Sequence, residues 1–212
     1  MHLCLFAGTV PSIFASADSR PAVVDTGRVS LFEVLMIGHD ELMARLDSVA
    51  SAITDNVQMV NYGGCAVVAY HVAKTLIGLG FRAEVVTCNS RGVSPAVARK
   101  TLANQDDWLK RRPMAARWTA AGLSRWHLAC RFETDQGLFT FDSDGVVDSG
   151  SMFGHDAGYM CNYPFGQGLT LQETWPMVRS KYGWNTVFDR AQIADVKTLV
   201  DYHLRMGMPY HG

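Results

Sequence analysis

The stretch "SRWHLACRFETDQGLFTFDSDG", residues 124–145, most tightly limits what this chain can fold into. Two runs rich in aromatic and apolar residues flank Thr134-Asp135-Gln136-Gly137, whose composition is that of a hairpin turn. An antiparallel strand pair is therefore expected here. Side chains alternate between faces along a strand, so Phe139 and Phe141 share one face and Leu138, Thr140 and Asp142 the other. Asp144 falls in "DSDG", which reads as the following turn.

The remaining elements are mostly helical by pattern. In "LFEVLMIGHDELMARLDSVASAITDN" the residues Leu42, Met43, Leu46, Val49, Ala50 and Ile53 recur at three- and four-residue steps. Asp40 is the expected N-cap, and Asp55-Asn56 end the run. A second helix starts near Ala66, carries Val67, Tyr70, Ala73, Leu76 and Ile77, and stops at Gly80, which suits a left-handed C′ position. "FRAEVVTC" alternates as a strand, and "SPAVARKTLANQDDWLKR" reads as one helix with Ser94 as cap and Pro95 at its first position. Residues 148–168 are Gly-rich and aromatic and are expected to form a long ordered loop. "TLQETWPMVRSKYG" predicts a short helix interrupted by Pro176, and "AQIADVKTLVDYHLRMG" a final amphipathic helix ending at Gly207.

With 212 residues, 48% of them hydrophobic, the chain can bury a core and is expected to form one domain. Its expected parts are an N-terminal strand or arm over residues 1–35, a helix-and-hairpin core over 60–145, and a loop with C-terminal helices over 146–212. Charged residues make up 18% and the formal net charge is −1, so no electrostatic argument points to nucleic acid or an anionic membrane. No apolar run reaches the roughly 18 residues that a membrane span needs. The cysteines Cys4, Cys65, Cys88, Cys130 and Cys161 are odd in number and form no CxxC pair, which suits neither a disulfide framework nor a zinc knuckle. Free thiols fit a reducing, cytoplasmic setting. "LCLFAGTVPSIFASADS" resembles a signal peptide in its apolar run and its Ala15-Ser16-Ala17 ending, but it lacks a basic leading region and is broken by Pro11.

Cys65 stands apart from the other cysteines. It follows Gly63-Gly64 directly and sits at the mouth of the second helix, where unpaired N–H groups and the positive end of the dipole favour a thiolate. A thiol nucleophile needs a base within hydrogen-bond reach, a group to orient that base, and donors for an oxyanion. His127 lies in the first strand of the hairpin and Asp142 near the end of the second, with the turn near their midpoint. Side-by-side placement across the pair would let the carboxylate hold the imidazole.

Gly64-Cys65, the helix closed by "LIGLGFRAEVV", His127 and "FTFDSDG" together resemble the papain-like superfamily of cysteine enzymes, in particular its transglutaminase-like and arylamine N-acetyltransferase-like branches. The resemblance implies an α+β papain-like (transglutaminase-like) domain with the nucleophile helix packed on an antiparallel sheet. It implies Cys65 as nucleophile, His127 as general base and then acid, and Asp142 as the orienting group. Oxyanion donors would be the Cys65 N–H and a group among Gln58, Asn61 and Tyr62, while Gly63 and Gly64 give an extended substrate room to approach. The implied activity is a cysteine hydrolase on peptide or isopeptide amide bonds, acting through a thioester. Acyl transfer to an amine is the nearby variant, and a binding or structural protein of the same fold without turnover is the other reading. Neither a cofactor nor a metal is implied, and the expected partner is a peptide, protein or small acyl substrate. The chain departs from the acetyltransferase pattern in having Asn61-Tyr62 before the glycines and no residue between Gly64 and Cys65. Relative to transglutaminase-like proteins, Ala129 stands where an aromatic is usual.

Other candidates are weaker. His71 lies six positions after Cys65 on one helix and so points away from it. Cys88 and Cys130 fall in strand-like runs and read as core, and a Cys161–His155 pairing lacks a helix mouth.

Overall fold

The computed structural model describes residues 37–58, 64–89, 92–112, 114–121, 127–147, 152–153, 159–179 and 188–212. The expected N-terminal strand or arm lies outside them. Helix α1 (His39–Asn56) buries Leu42, Leu46, Val49 and Ile53, the stripe that its periodicity predicts. Its N-cap is Gly38, two residues ahead of the expected Asp40. His39 is drawn into the helix because its Nδ1 lies 3.1 Å from the Thr134 hydroxyl and its ring rests on Phe139. Asp40 and Glu41 consequently sit in the first turn, where the helix dipole favours acids.

Helix α2 (Cys65–Gly78) is buried almost all round, from Ala66 to Ala73 and again at Thr75 and Leu76. It ends in a paired cap: Gly80, at φ +93°, donates to the Ile77 carbonyl, and Phe81 donates to Leu76. Strand β1 (Arg82–Cys88) then returns along the helix. Fourteen helical residues rise about 21 Å, and seven strand residues about 23 Å. The start of α2 and the end of β1 therefore fall at the same end of the molecule.

A four-stranded antiparallel sheet runs in the order β1, β2 (His127–Thr134), β3 (Gly137–Asp142), β4 (Gly145–Val147). Val85 pairs with Cys130 and Cys130 with Phe141, and this row faces the helices. Helices α1 and α2 cover that face, and α7 (Arg190–Met206) packs across both. A capping box at Asp189 and Gln192 starts α7, and Gly207, at φ +64°, closes it.

Between β1 and β2 lie α3 (Pro95–Ala103), α4 (Asp107–Lys110) and α5 (Met114–Ala120). The single helix expected from Ser94 onward is instead divided. Gln105 is buried and donates to the Arg117 carbonyl at 2.7 Å, which turns its side chain inward and ends α3 at Ala103. The Gly-rich stretch contains a short pair, β5 (Met152–Phe153) and β6 (Tyr159–Met160), where a loop is expected. Helix α6 (Leu171–Arg179) runs through Pro176 without a break. The hydrogen bond that proline forfeits is offset by packing on α2, with Trp175 against Tyr70 and Met177 and Val178 buried.

The second face of the sheet is covered by residues 161–170. Arg131, 1% exposed, reaches through this layer. Its guanidinium binds Glu84 and donates to the Tyr163 and Pro164 carbonyls at 2.7 and 3.0 Å. The other Glu84 oxygen accepts from the Gly168 N–H at 2.7 Å. Leu169 forms a bridge with Val85 on the outer edge of β1. Among the described residues no helix is long and apolar enough to cross a membrane.

One buried group makes the core sensitive to acid. His71 is 5% exposed, and its Nε2 has no hydrogen-bond partner among the described residues. Burial, reinforced by Lys74 and Lys197 and partly opposed by Asp201, lowers its pKa to about 4. The unfolded chain takes up a proton near pH 6.5 that the native state refuses, so stability is full above that pH and is lost as pH falls toward 4. The predicted loss from this one group is about 3 kcal/mol, read from urea midpoints across that interval. His71→Leu should flatten the slope; an unchanged slope would contradict the assignment.

Candidate active site

Three elements meet at the end of the sheet where α2 begins. Cys65 is the first residue of α2, His127 the first of β2, and Asp142 the last of β3. Gly64 caps the helix with φ −86° and ψ −6°, and its carbonyl accepts from Val67 and Val68. The thiol is only partly buried, whereas Cys88, Cys130 and Cys161 are buried.

The Nε2 of His127 lies 2.7 Å from Asp142 Oδ2. The two residues are not directly opposite, as side-by-side placement would require. Thr134 pairs with Gly137 and Cys130 with Phe141, which sets Asp142 across from Ala129. His127 is therefore the diagonal neighbour on the same face, and the long imidazole spans the offset. Asp142 is held from its other side as well. Its Oδ1 accepts the Asp144 N–H at 2.8 Å, so the Ser143-Asp144 turn aims the carboxylate at the ring. Gly145, at φ +118°, lets that turn close tightly, and Thr54 of α1 donates to the Ser143 carbonyl. Asp144 thus contributes through its backbone.

His127 also hydrogen-bonds to Cys65. With Nε2 committed to Asp142, Nδ1 is the ring nitrogen left for the sulfur. Burial of the ring opposes its protonation, but the hydrogen bonds to Asp142 and Cys65 and the negative charge of both partners prevail. They raise the pKa of His127 to about 10. An imidazolium is thereby held between the Asp142 carboxylate and the Cys65 sulfur.

The remaining expected site residues divide. Gln58 lies exposed just after α1, while Asn61, Tyr62, Gly63 and His155 lie outside the described residues. Cys88, read from sequence as plain core, pairs through its backbone with His127 and hydrogen-bonds through sulfur to Cys161. Isolated cysteines in apolar runs carry no sequence signal for such a pair. Comparisons with protein-family models, with curated proteins and with solved structures find no match for this chain.

This arrangement predicts selective alkylation. Iodoacetamide near neutral pH should label Cys65 ahead of Cys88, Cys130 and Cys161, as read by peptide mass spectrometry. Asp142→Asn, by weakening the hold on the imidazolium, should slow labelling of Cys65 by on the order of tenfold. Equal labelling of the four thiols, or a rate indifferent to Asp142, would contradict the reading.

Proposed function

We propose that this chain is a cysteine-nucleophile hydrolase acting on peptide or isopeptide amide bonds, with a papain-like, transglutaminase-like arrangement of helix and sheet. The observation that carries the reading is the contact of the Cys65 thiol, at a helix start, with an imidazole bonded at 2.7 Å to Asp142. In the proposed reaction the Cys65 sulfur, as the thiolate paired with the His127 imidazolium that carries its proton, attacks the carbonyl carbon of the amide. The carbonyl π electrons move to oxygen, where the Cys65 N–H at the helix mouth supplies one donor. Gln58, Asn61 and Tyr62 remain the candidates for a second. The tetrahedral species collapses as the C–N bond breaks, and His127 gives its proton to the departing amine. A thioester on Cys65 remains. His127, now neutral, takes a proton from water as water attacks the thioester, and the acid product leaves with the sulfur restored. Throughout, Asp142 keeps the ring oriented and stabilises its charged form. Gly64, lacking a side chain, adds no bulk directly before the nucleophile.

If an amine replaces water in the second half, the same residues perform acyl transfer. Incubation of the chain with an acyl-amide peptide, with and without a primary amine, separates the two by product mass. Hydrolysis leaves a free acid even when the amine is present, and transfer adds the mass of the amine. Cys65→Ala should reduce turnover by at least roughly a thousandfold while leaving the fold intact by circular dichroism. Turnover that survives Cys65→Ala would overturn the proposal, as would failure to trap a thioester on Cys65.

A further inference from the structure

The outer face of the sheet carries two thiols that this chemistry does not use. Cys88 ends β1 directly across from His127, and Cys161 opens the segment that lies over that face. Their exposures are 0% and 1%, and they share one apolar cluster with Val86, Ala129 and Tyr163. The segment is held in place from several directions. Arg131 grips the Tyr163 carbonyl, and the Thr87 N–H donates to the Tyr163 hydroxyl at 2.8 Å. Two cysteines 73 positions apart in sequence are thereby held sulfur to sulfur, in a hydrogen bond. Donation of that bond and burial keep the proton on Cys88, whereas accepting it, with help from Arg131, pushes Cys161 down.

We infer that Cys88 and Cys161 form a reversible redox pair, which a peroxide closes into a disulfide that ties residues 161–170 to the strand position facing His127. The inference does not require Cys65 to be a nucleophile. Cys161 loses its proton and attacks one oxygen of hydrogen peroxide, forming an S–O bond as the O–O bond breaks. The departing hydroxide takes up that proton and becomes water. The sulfur of Cys88 then attacks the sulfenic sulfur, the S–S bond forms, and the S–O bond breaks with loss of a second water that carries the Cys88 proton. Two thiols give up two electrons and two protons, and one peroxide becomes two waters. A small oxidant suits this site because the pair is closed to larger disulfide reagents. Once the chain is opened by unfolding or digestion, an added dithiol reverses the bond by exchange.

The test uses the full chain, and Cys65→Ser in parallel to remove a competing thiol. After treatment with hydrogen peroxide and alkylation, a non-reducing digest should yield the peptides of Cys88 and Cys161 joined, and dithiothreitol should separate them. Because the bond closes a long loop of the unfolded chain, Tm should rise by roughly 5–10 °C on oxidation. The rise should be absent in Cys88→Ala. Peroxide treatment that leaves Cys88 and Cys161 reduced in the folded chain, or links either to Cys130 or Cys4, overturns the inference. So does a Tm shift that persists in Cys88→Ala.

Discussion

Helix α2 is buried on nearly every side, and this constraint fixes where any chemistry can sit. Its residues from Ala66 onward fill the space between the sheet, α6 and α7. A close-packed helix of this kind cannot slide or rotate by one residue without displacing the whole apolar set. Its first residue is therefore held to one place, at the end of the sheet where β1 and β3 finish and β2 begins. Cys65 gains its neighbours because the core leaves it no alternative. The chemistry-bearing side chains need supply only the last few ångströms.

Two acid–base pairs on the outer sheet face show how burial divides structure from reactivity. Arg131 and Glu84 are paired with side-chain exposures of 1% and 9%, and both also bind backbone groups of residues 161–170. Their charges are compensated on all sides, and they place a segment of chain. His127 and Asp142 are also bonded, but the imidazole side chain is 24% exposed and borders a partly exposed thiol. One of its nitrogens remains turned toward the sulfur. The same kind of ion pair thus anchors a loop in one position and, a few residues away, holds a protonated imidazole beside a sulfur.

Much of this arrangement is legible in the sequence, for identifiable reasons. The hairpin announces itself through two aromatic runs around Asp135-Gln136, and α2 through an apolar stretch ended by Gly80. Pattern at this level reflects burial, and burial is what these elements share. The order of Cys65, His127 and Asp142 along the chain sufficed to bring them to one end, because matched element lengths do the rest. Details set by single polar contacts were not legible. The diagonal register of His127 and Asp142 depends on the exact turn, the division at Asn104 on Gln105 finding Arg117, and the early start of α1 on His39 meeting Thr134. The Arg131–Glu84 anchor and the Cys88–Cys161 contact join residues far apart in sequence, and no periodicity encodes them.

The account rests on His127 remaining an imidazolium because it is bonded to both a carboxylate and a sulfur. Nuclear magnetic resonance of the imidazole, followed against pH, measures this directly. The ring is predicted to stay charged through neutral pH and to lose its proton near pH 10, with a lower transition once Cys65 is replaced by serine. A transition at the ordinary histidine value, near about 6.5 and unmoved by that replacement, would contradict it.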